Sequence, residues 1–435
     1  MLNKLVPSGE NTIYKKAVWL YFFLLIFEGA LRKWILPAFS TSLLLVRDPI
    51  VIWLVIVGLY KGWLNNGYVI VMMIVITLSL VTTLLFGHQN LTVALYGWRF
   101  YFFHFPFIFI IGKVLKREDV LKMGRFVLYL SIPMIVFIII QFYSPQSAWV
   151  NNNVGGGEGQ TLAGALGYYR PSGIFSAGYV EYNLVVGCFL FYYLFANKTL
   201  KSNEQIKSWI LWIMLGCYLL SIPYSISRTN FFQAIGILMF FLVGGLMIRK
   251  YQKQILKSVI LGVAAIALIL NFNLQGDGLD AFTARFESAS ETEGGALQGT
   301  IGNRYFGSTL RAFSFEVPFF GYGLGVSSNA GNAISEGIKY KYFNADQEWS
   351  SIIGENGILF GMIIIALRVL LSLSIFKKSF QFLKRDKDVL LWILLAGLLM
   401  SLPMGQMEVS IRCGFVVFIS GICLSVINNK NKITK

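Results

Sequence analysis

Charge is scarce in this chain: Asp, Glu, Lys and Arg make up only 13% of its 435 residues, about half the share of an ordinary soluble domain. So few charges leave little room for a water-soluble fold of this length. Histidine is rarer still. His88 and His104 are the only two, which argues against an imidazole-rich metal centre. The four cysteines (Cys188, Cys217, Cys413 and Cys423) all lie within or beside apolar runs. They lack the short paired spacing of a metal site and form no disulfide framework, so packing is their expected role. No metal and no cofactor is expected.

What the chain has instead is hydrocarbon: 56% hydrophobic residues and a mean hydropathy of +0.64. Runs such as "VIVMMIVITLSLVTTLLF" approach the roughly 20 residues that cross about 30 Å of bilayer core. The pattern predicts an all-α polytopic membrane protein, a single membrane domain over 1–435 with about twelve spans. These fall near 16–36, 42–60, 67–86, 99–115, 124–143, 174–196, 207–224, 229–248, 255–272, 351–375, 388–405 and 411–427. The first apolar run continues into many others, which marks a transmembrane helix and not a cleaved signal peptide.

An even number of spans puts both termini on one side, and the basic loops decide which. "GKVLKREDVLKMGR", "NKTLKSNEQIK", "IRKYQKQILK", "FKKSFQFLKRDKD" and the tail "NNKNKITK" all fall on the side of the N-terminus. That face holds 25 of the 37 Lys and Arg, so the positive-inside rule makes it cytoplasmic. The net charge of +16 is then mostly an orientation signal, and no nucleic-acid partner is needed to explain it. The type of cation differs between faces: the cytoplasmic 25 are 20 Lys and 5 Arg, the outer 12 are 9 Arg and 3 Lys. Lysine suffices for topology, whereas arginine presents a rigid fork of donors that fits carboxylate or phosphate bidentately. Nine outward arginines fit an extracytoplasmic site for an acidic or phosphorylated ligand, although single ones also snorkel to headgroups or close salt bridges.

Two outer segments are long enough to hold such a site. Residues 144–173, the first outer loop, are rich in Gly and Asn ("NNNVGGGEGQTLAGALGYY"). Residues 273–350, the large loop between spans nine and ten, have a polar, glycine-rich middle. Their second half repeats Phe306, Leu310, Phe313 and Val317 at helical spacing, which predicts helices along the membrane surface. Four outer arginines stand in distinctive settings. Arg170 precedes a Pro171–Gly173 turn, and Arg228 lies in the tight connection "SISRTN". Arg304 and Arg311 are seven apart, one helix face and roughly 10 Å between them. "GYGLG" from Gly321 to Gly325 follows no strand and opens no βαβ unit, so it reads as a turn and not as a nucleotide loop.

Carboxylates gather in "NADQEWSSIIGENG". Asn344 and Gln347 have the spacing of a capping box, and Asp346 and Glu348 then lie in a first helical turn, where the dipole favours negative charge. Glu355, more than two turns further into an apolar run, has no such explanation, and ionisable groups inside membrane segments are functional candidates. Glu28 with Arg32, Arg47 beside Asp48, Arg99 near His104, and Glu408 with Arg412 are expected to be ion pairs joining outer helix ends.

In order, "RPSGIFSAGYVEYN", "SISRTNFFQAIGILMFFL", "GNRYFGSTLRAFSFEVPFFGYGLG" and "DQEWSSIIGENGILFGMIIIAL" resemble the bacterial O-antigen polymerase and O-antigen ligase family, most clearly from 170 to 367. "EGALRKW" and "LLLVRDP" are similar to segments of exopolysaccharide polymerases of that group. The resemblance implies a glycosyltransferase working outside the bacterial cytoplasmic membrane. It would pass a glycan from an undecaprenyl-diphosphate carrier to an acceptor sugar hydroxyl, without a metal. It further implies diphosphate binding by Arg170, Arg228 and Arg304, with Arg311 beside them, and a carboxylate base among Asp346, Glu348 and Glu355. A flippase and a chain-length regulator are the implied protein partners, besides membrane lipids. Ligases of the family carry a histidine about nine residues before the helix-start acid; Asp346 occupies that place here, which favours a polymerase. The alternatives are a ligase that delivers glycan to lipid A-core or another terminal acceptor and, in a different class, a transporter or flippase of the same lipid-linked oligosaccharide. A scaffold without catalysis is the remaining reading.

Overall fold

The computed structural model describes residues 8–160, 162–248, 276–293, 317–328 and 348–433, with 252 and 260. Within them the protein is built of α-helices, and Ala163 and Tyr169 make an isolated β-bridge. In chain order the helices are α1 (Ser8–Ala30), α2 (Asp48–Tyr60), α3 (Gly67–Phe86), α4 (Leu91–Arg99), α5 (Phe105–Val114), α6 (Arg117–Tyr143) and α7 (Tyr179–Ala196). After them come α8 (Ser208–Tyr224), α9 (Arg228–Met247), α10 (Gly276–Glu293), α11 (Glu348–Asp386), α12 (Val389–Ser401) and α13 (Ser410–Ile433).

Nine segments among the described residues are long and apolar enough to cross a membrane, and each coincides with a predicted span. Of the other three predicted spans, 16–36 falls on α1 and the π-helical turn Leu31–Ile35, and 388–405 contains the 13-residue apolar α12. The predicted span 255–272 lies outside the described residues apart from 260. Side-chain placement agrees with a lipid environment. Along α3, Ile70, Ile74, Leu78, Val81 and Leu85 form one exposed apolar stripe, while Val69, Met72, Val75, Ile76, Ser79 and Thr83 face the core. An exposed stripe of that size needs hydrocarbon and not water around it. Among the nine segments, those of α7 and α13 are the most enclosed: α7 is packed by α6, α8, α9 and α12, and α13 lies along α5.

Connections sort to two ends of the bundle. At one, Lys15 pairs with Asp119 at 2.8 Å, Arg117 with Asp388 at 2.9 Å, and Asn428 donates to the Gly112 carbonyl at 2.8 Å. At the other, the loop-rich end, Trp34 donates to the Trp149 carbonyl at 2.8 Å, Arg47 reaches Ser410 O at 2.7 Å, and His88 meets Leu324 O at 2.9 Å. The contacts named at the first end join segments with predicted cytoplasmic positions, and those named at the second join segments with predicted outer positions.

α11 is two helical arms and not the single span expected over 351–375. In a straight helix Glu348 and Arg368 would stand about 30 Å apart at 1.5 Å per residue, yet Glu348 Oε1 and Arg368 Nη1 are 3.1 Å apart. The chain doubles back at Gly357, whose φ of 71° and ψ of 175° belong to a region open essentially to glycine alone. A Cβ there would stand 2.0 Å from the Phe319 carbonyl oxygen. The short arm therefore re-enters the bundle beside the long one and carries Glu348 and Glu355 inward. Its tip is held by the glycine turn, where Tyr322 N donates to Gly354 O at 2.8 Å and Gly323 N to Glu355 O at 3.1 Å. "GYGLG" is thus the expected turn. Its Gly325, at φ 84°, lies against α4, where a Cβ would meet Val93 O at 2.2 Å.

The described helix of the large loop, α10, lies at its start, ahead of the polar, glycine-rich middle. Phe282 and Phe286 of α10 pack on Phe231 of α9, and Tyr168 donates to Asp277 at 3.0 Å. Of the residues expected to form surface helices, Phe306, Leu310 and Phe313 lie outside the described residues.

Candidate functional site

A cavity of about 290 Å³ opens at the loop-rich end. Four segments build its wall: the turn before α7, the first turns of α7, the α8–α9 connection, and the α12–α13 connection with the start of α13. Each is fixed locally. The turn before α7 is set by Gly173 (φ 59°), whose N–H donates to Gln141 Oε1 at 2.8 Å, and by Ser172, which donates to Gln160 at 2.8 Å and accepts from Lys33 at 2.5 Å. Arg170 N donates to Leu162 O at 2.9 Å, which closes the small loop that presents the Arg170 side chain to the cavity. The α8–α9 connection is pinned by Asn230, which accepts from Asn183 of α7 at 2.7 Å and donates to Ser225 Oγ at 3.1 Å. Ser227 caps α9 and lines the cavity with Ser225 and Thr229.

Charged groups in the wall come from three of these segments. Arg170 is one, and Arg412 on α13 is the second. The third is Glu181 in the first turn of α7, 3.2 Å from Arg412 Nε. Arg412 also donates to Gln406 in the α12–α13 connection. Two acceptors in the wall, Glu181 Oε2 and Gln233 Oε1, are buried and have no hydrogen-bond partner among the described residues. Each unsatisfied acceptor costs about 1–3 kcal/mol. Arg228, the first residue of α9, is only 6% exposed; its neighbours Ser227 and Thr229 face the cavity. It stands at a helix N-terminus, where the dipole disfavours a cation and favours an anion.

The carboxylates of the re-entrant arm lie elsewhere, behind the α12–α13 connection. Gly405 separates the two sites: it lines the cavity, and its carbonyl accepts from Arg368 Nη2 on the far side. Glu348 Oε1 accepts from Tyr101 OH at 3.0 Å, Arg368 Nη1 at 3.1 Å and Met407 N at 2.7 Å. With that oxygen so committed, Glu348 is built as an anchor and is poorly suited to the base role expected of it. Glu355 Oε1 accepts from Ser327 N and Ser327 Oγ, both at 2.7 Å, and the Glu355 carboxyl faces that of Glu408. Neither Glu348 nor Glu355 lines the cavity. Arg304, Arg311 and Asp346 lie outside the described residues.

Glu408 belongs to the connection itself and is 4% exposed. Burial, then the facing Glu355 and Glu348 carboxylates, push its carboxyl well above the usual carboxylate range. The folded state therefore holds a proton that the unfolded chain releases once pH passes about 4.5. Stability contributed by this group is complete below that value and is lost as pH rises toward the raised folded pKa. Glu408→Gln keeps a donor toward Glu355 and removes this dependence. Thermal unfolding in detergent is expected to decline from pH 5 to pH 8 for the parent and to decline less for the variant, which becomes the more stable of the two at pH 8.

The expected ion pairs of the helix ends form with several exchanged partners. Glu28 does bind Arg32, at 3.4 Å, and also takes Arg47, at 3.0 Å. Asp48 pairs with Arg99 and lies 3.5 Å from His104 Nε2, so Arg47 and Asp48 are not partners. The π-helical turns Leu31–Ile35 and Phe100–His104 each carry a basic residue into this network. Arg412 pairs with Glu181 and not with Glu408. The spacing rule behind the expected pair holds inside a helix, and Glu408 precedes α13, which begins at Ser410. Arg368, counted with the cytoplasmic face in the sequence, is buried at the loop-rich end. Among the described residues, no three His, Cys, Asp or Glu side chains group as metal ligands. Compared with models of known protein families and with curated proteins, the chain matches none.

Proposed function

We propose that this protein is a polysaccharide polymerase of the bacterial cytoplasmic membrane. It transfers glycan repeat units from an undecaprenyl-diphosphate carrier to an acceptor sugar hydroxyl on the outer side. On this reading the chain makes twelve spans with both termini in the cytoplasm, and the loop-rich end faces the periplasm or cell exterior. The large loop then joins spans nine and ten. The observation that carries the proposal is the shared cavity: Arg170 and Arg412 line one open cavity with a carboxylate, Glu181, at the loop-rich end.

The chemistry follows from that arrangement. Departure of a lipid diphosphate concentrates negative charge on the leaving oxygen, and fixed guanidinium groups in a partly dry site stabilise it without reorganising. Arg170 and Arg412 are the cationic donors of the cavity wall, and Arg228 at the N-terminus of α9 adds attraction for an anion from beside it. The family resemblance assigns Arg304 and, nearby, Arg311 to the same diphosphate. The carboxylates of the re-entrant arm, Glu348 and Glu355, then serve to hold the wall in place, and Asp346 remains the third candidate base of the resemblance.

Purified protein in lipid nanodiscs, given only a lipid-linked repeat unit, is expected to produce a ladder of chain lengths. A single product that requires added lipid A-core or another terminal acceptor identifies a ligase instead. Movement of the lipid-linked oligosaccharide between leaflets with no new glycosidic bond identifies a transporter.

A further inference from the structure

Two residues that line the same cavity, Glu181 and Gln233, each carry a buried oxygen, Oε2 and Oε1, without a hydrogen-bond partner among the described residues. Gln233 is more than nine-tenths buried and belongs to α9; Glu181 belongs to α7. The cavity therefore has two kinds of wall. Arg170 and Arg412 are donors without acceptor capacity, which suits an anion. Glu181 and Gln233 present oxygen acceptors, which suit a ligand that brings hydroxyl donors.

Resting on the glycosyl-transfer reading, we infer that Glu181 and Gln233 form the acceptor-sugar subsite and that Glu181 is the general base of the transfer. Arg412 lies between the two walls. Its Nε lies 3.2 Å from Glu181 Oε1, and Oε2 has no hydrogen-bond partner among the described residues. In the step itself, the Glu181 carboxylate takes the proton of the acceptor hydroxyl while the hydroxyl oxygen bonds to the anomeric carbon. The bond from that carbon to the diphosphate oxygen breaks, its electron pair leaves with the lipid diphosphate, and Glu181 later returns the proton to water. Arg412 orients the carboxylate from one side and faces the leaving group from the other, so it couples the two half-sites. The position of Glu181 in a first helical turn beside an arginine also has a purely structural reading, through the helix dipole and the ion pair. The test has to separate the two.

Glu181→Gln preserves shape and removes the basic oxygen. Transfer at saturating acceptor is expected to fall about 10²–10⁴-fold, while binding of a fluorescent polyprenyl-diphosphate donor and thermal stability stay within about twofold of the parent. Glu181→Asp is expected to recover part of the rate. Gln233→Met is expected to raise the KM for the acceptor about tenfold with kcat nearly unchanged. A Glu181→Gln variant that folds and transfers at the parent rate overturns the inference and leaves the transfer reading standing. A direct binding measurement guards against failure of that reading itself. The delipidated repeat-unit oligosaccharide of the producing cell is titrated onto the protein, and Glu181→Gln and Gln233→Met are each expected to weaken binding about tenfold. Equal binding by parent and both variants, or none by the parent, removes the acceptor subsite whether or not the protein is a transferase.

Discussion

Arg368→Ala is expected to cost about 3–5 kcal/mol of folding stability, the loss typical of breaking a buried ion pair on one side. Arg368 is fully buried. It donates to Glu348 at 3.1 Å, to Leu402 O at 2.8 Å and to the Gly405 carbonyl. These bonds join the two arms of α11 to each other and to the α12–α13 connection. Alanine leaves two carbonyls without a donor and strands the Glu348 carboxylate, which keeps only Tyr101 OH and Met407 N. Whole domains are stable by only about 5–15 kcal/mol, so much of the variant is expected to be unfolded or degraded in cells. Thermal unfolding followed by tryptophan fluorescence in detergent measures the loss. Combining Arg368→Met with Glu348→Gln removes both charges and is expected to recover part of the stability; no recovery would show that the ion pair is not what the site depends on.

Arg170→Ala is expected to lower glycan transfer about 10²–10³-fold, the effect of removing one preorganised donor from a transition-state charge, while the protein still folds. The contrast with Arg368 comes from position. Arg170 sits in a loop whose shape is set by backbone bonds and by Gly173, Ser172 and Gln141. Arg170→Lys keeps the charge without the bidentate fork and is expected to fall between parent and alanine variant. Initial rates with a lipid-linked donor, set beside unfolding temperatures, separate loss of chemistry from loss of fold.

The helices were legible because apolar run length reports burial in hydrocarbon directly. Among the described residues, nine helical segments fall where the runs predict them. Chain direction was not legible. Hydropathy is the same for a helix that crosses and one that doubles back, so the reversal at Gly357 disappeared into one long run. The dipeptide Asn356–Gly357, a common turn signal, was the available warning. Arg368 was missed for a related reason: counted as a topology charge, it was in fact a lone arginine inside an apolar run, which implies a buried counter-charge. Glu348 supplies that charge. Arg170 and the turn that holds it were readable from Pro171 and Gly173. Glu181 stood in the same quoted stretch but gave no sign, because its significance depends on Arg412, 231 positions later, meeting it across the cavity. Contacts between distant segments of this kind leave no local pattern.

On the transfer reading, the cavity at the loop-rich end holds the diphosphate of a lipid-linked glycan. A cryo-electron microscopy structure in nanodiscs with a non-hydrolysable polyprenyl-diphosphate-sugar analogue tests it most directly. Density for the diphosphate is expected within hydrogen-bonding distance of Arg170 and Arg412, with the sugar directed toward Glu181. Diphosphate density at the opposite end of the bundle, beside the Arg117–Asp388 pair, or a cavity left empty at saturating analogue, would contradict it.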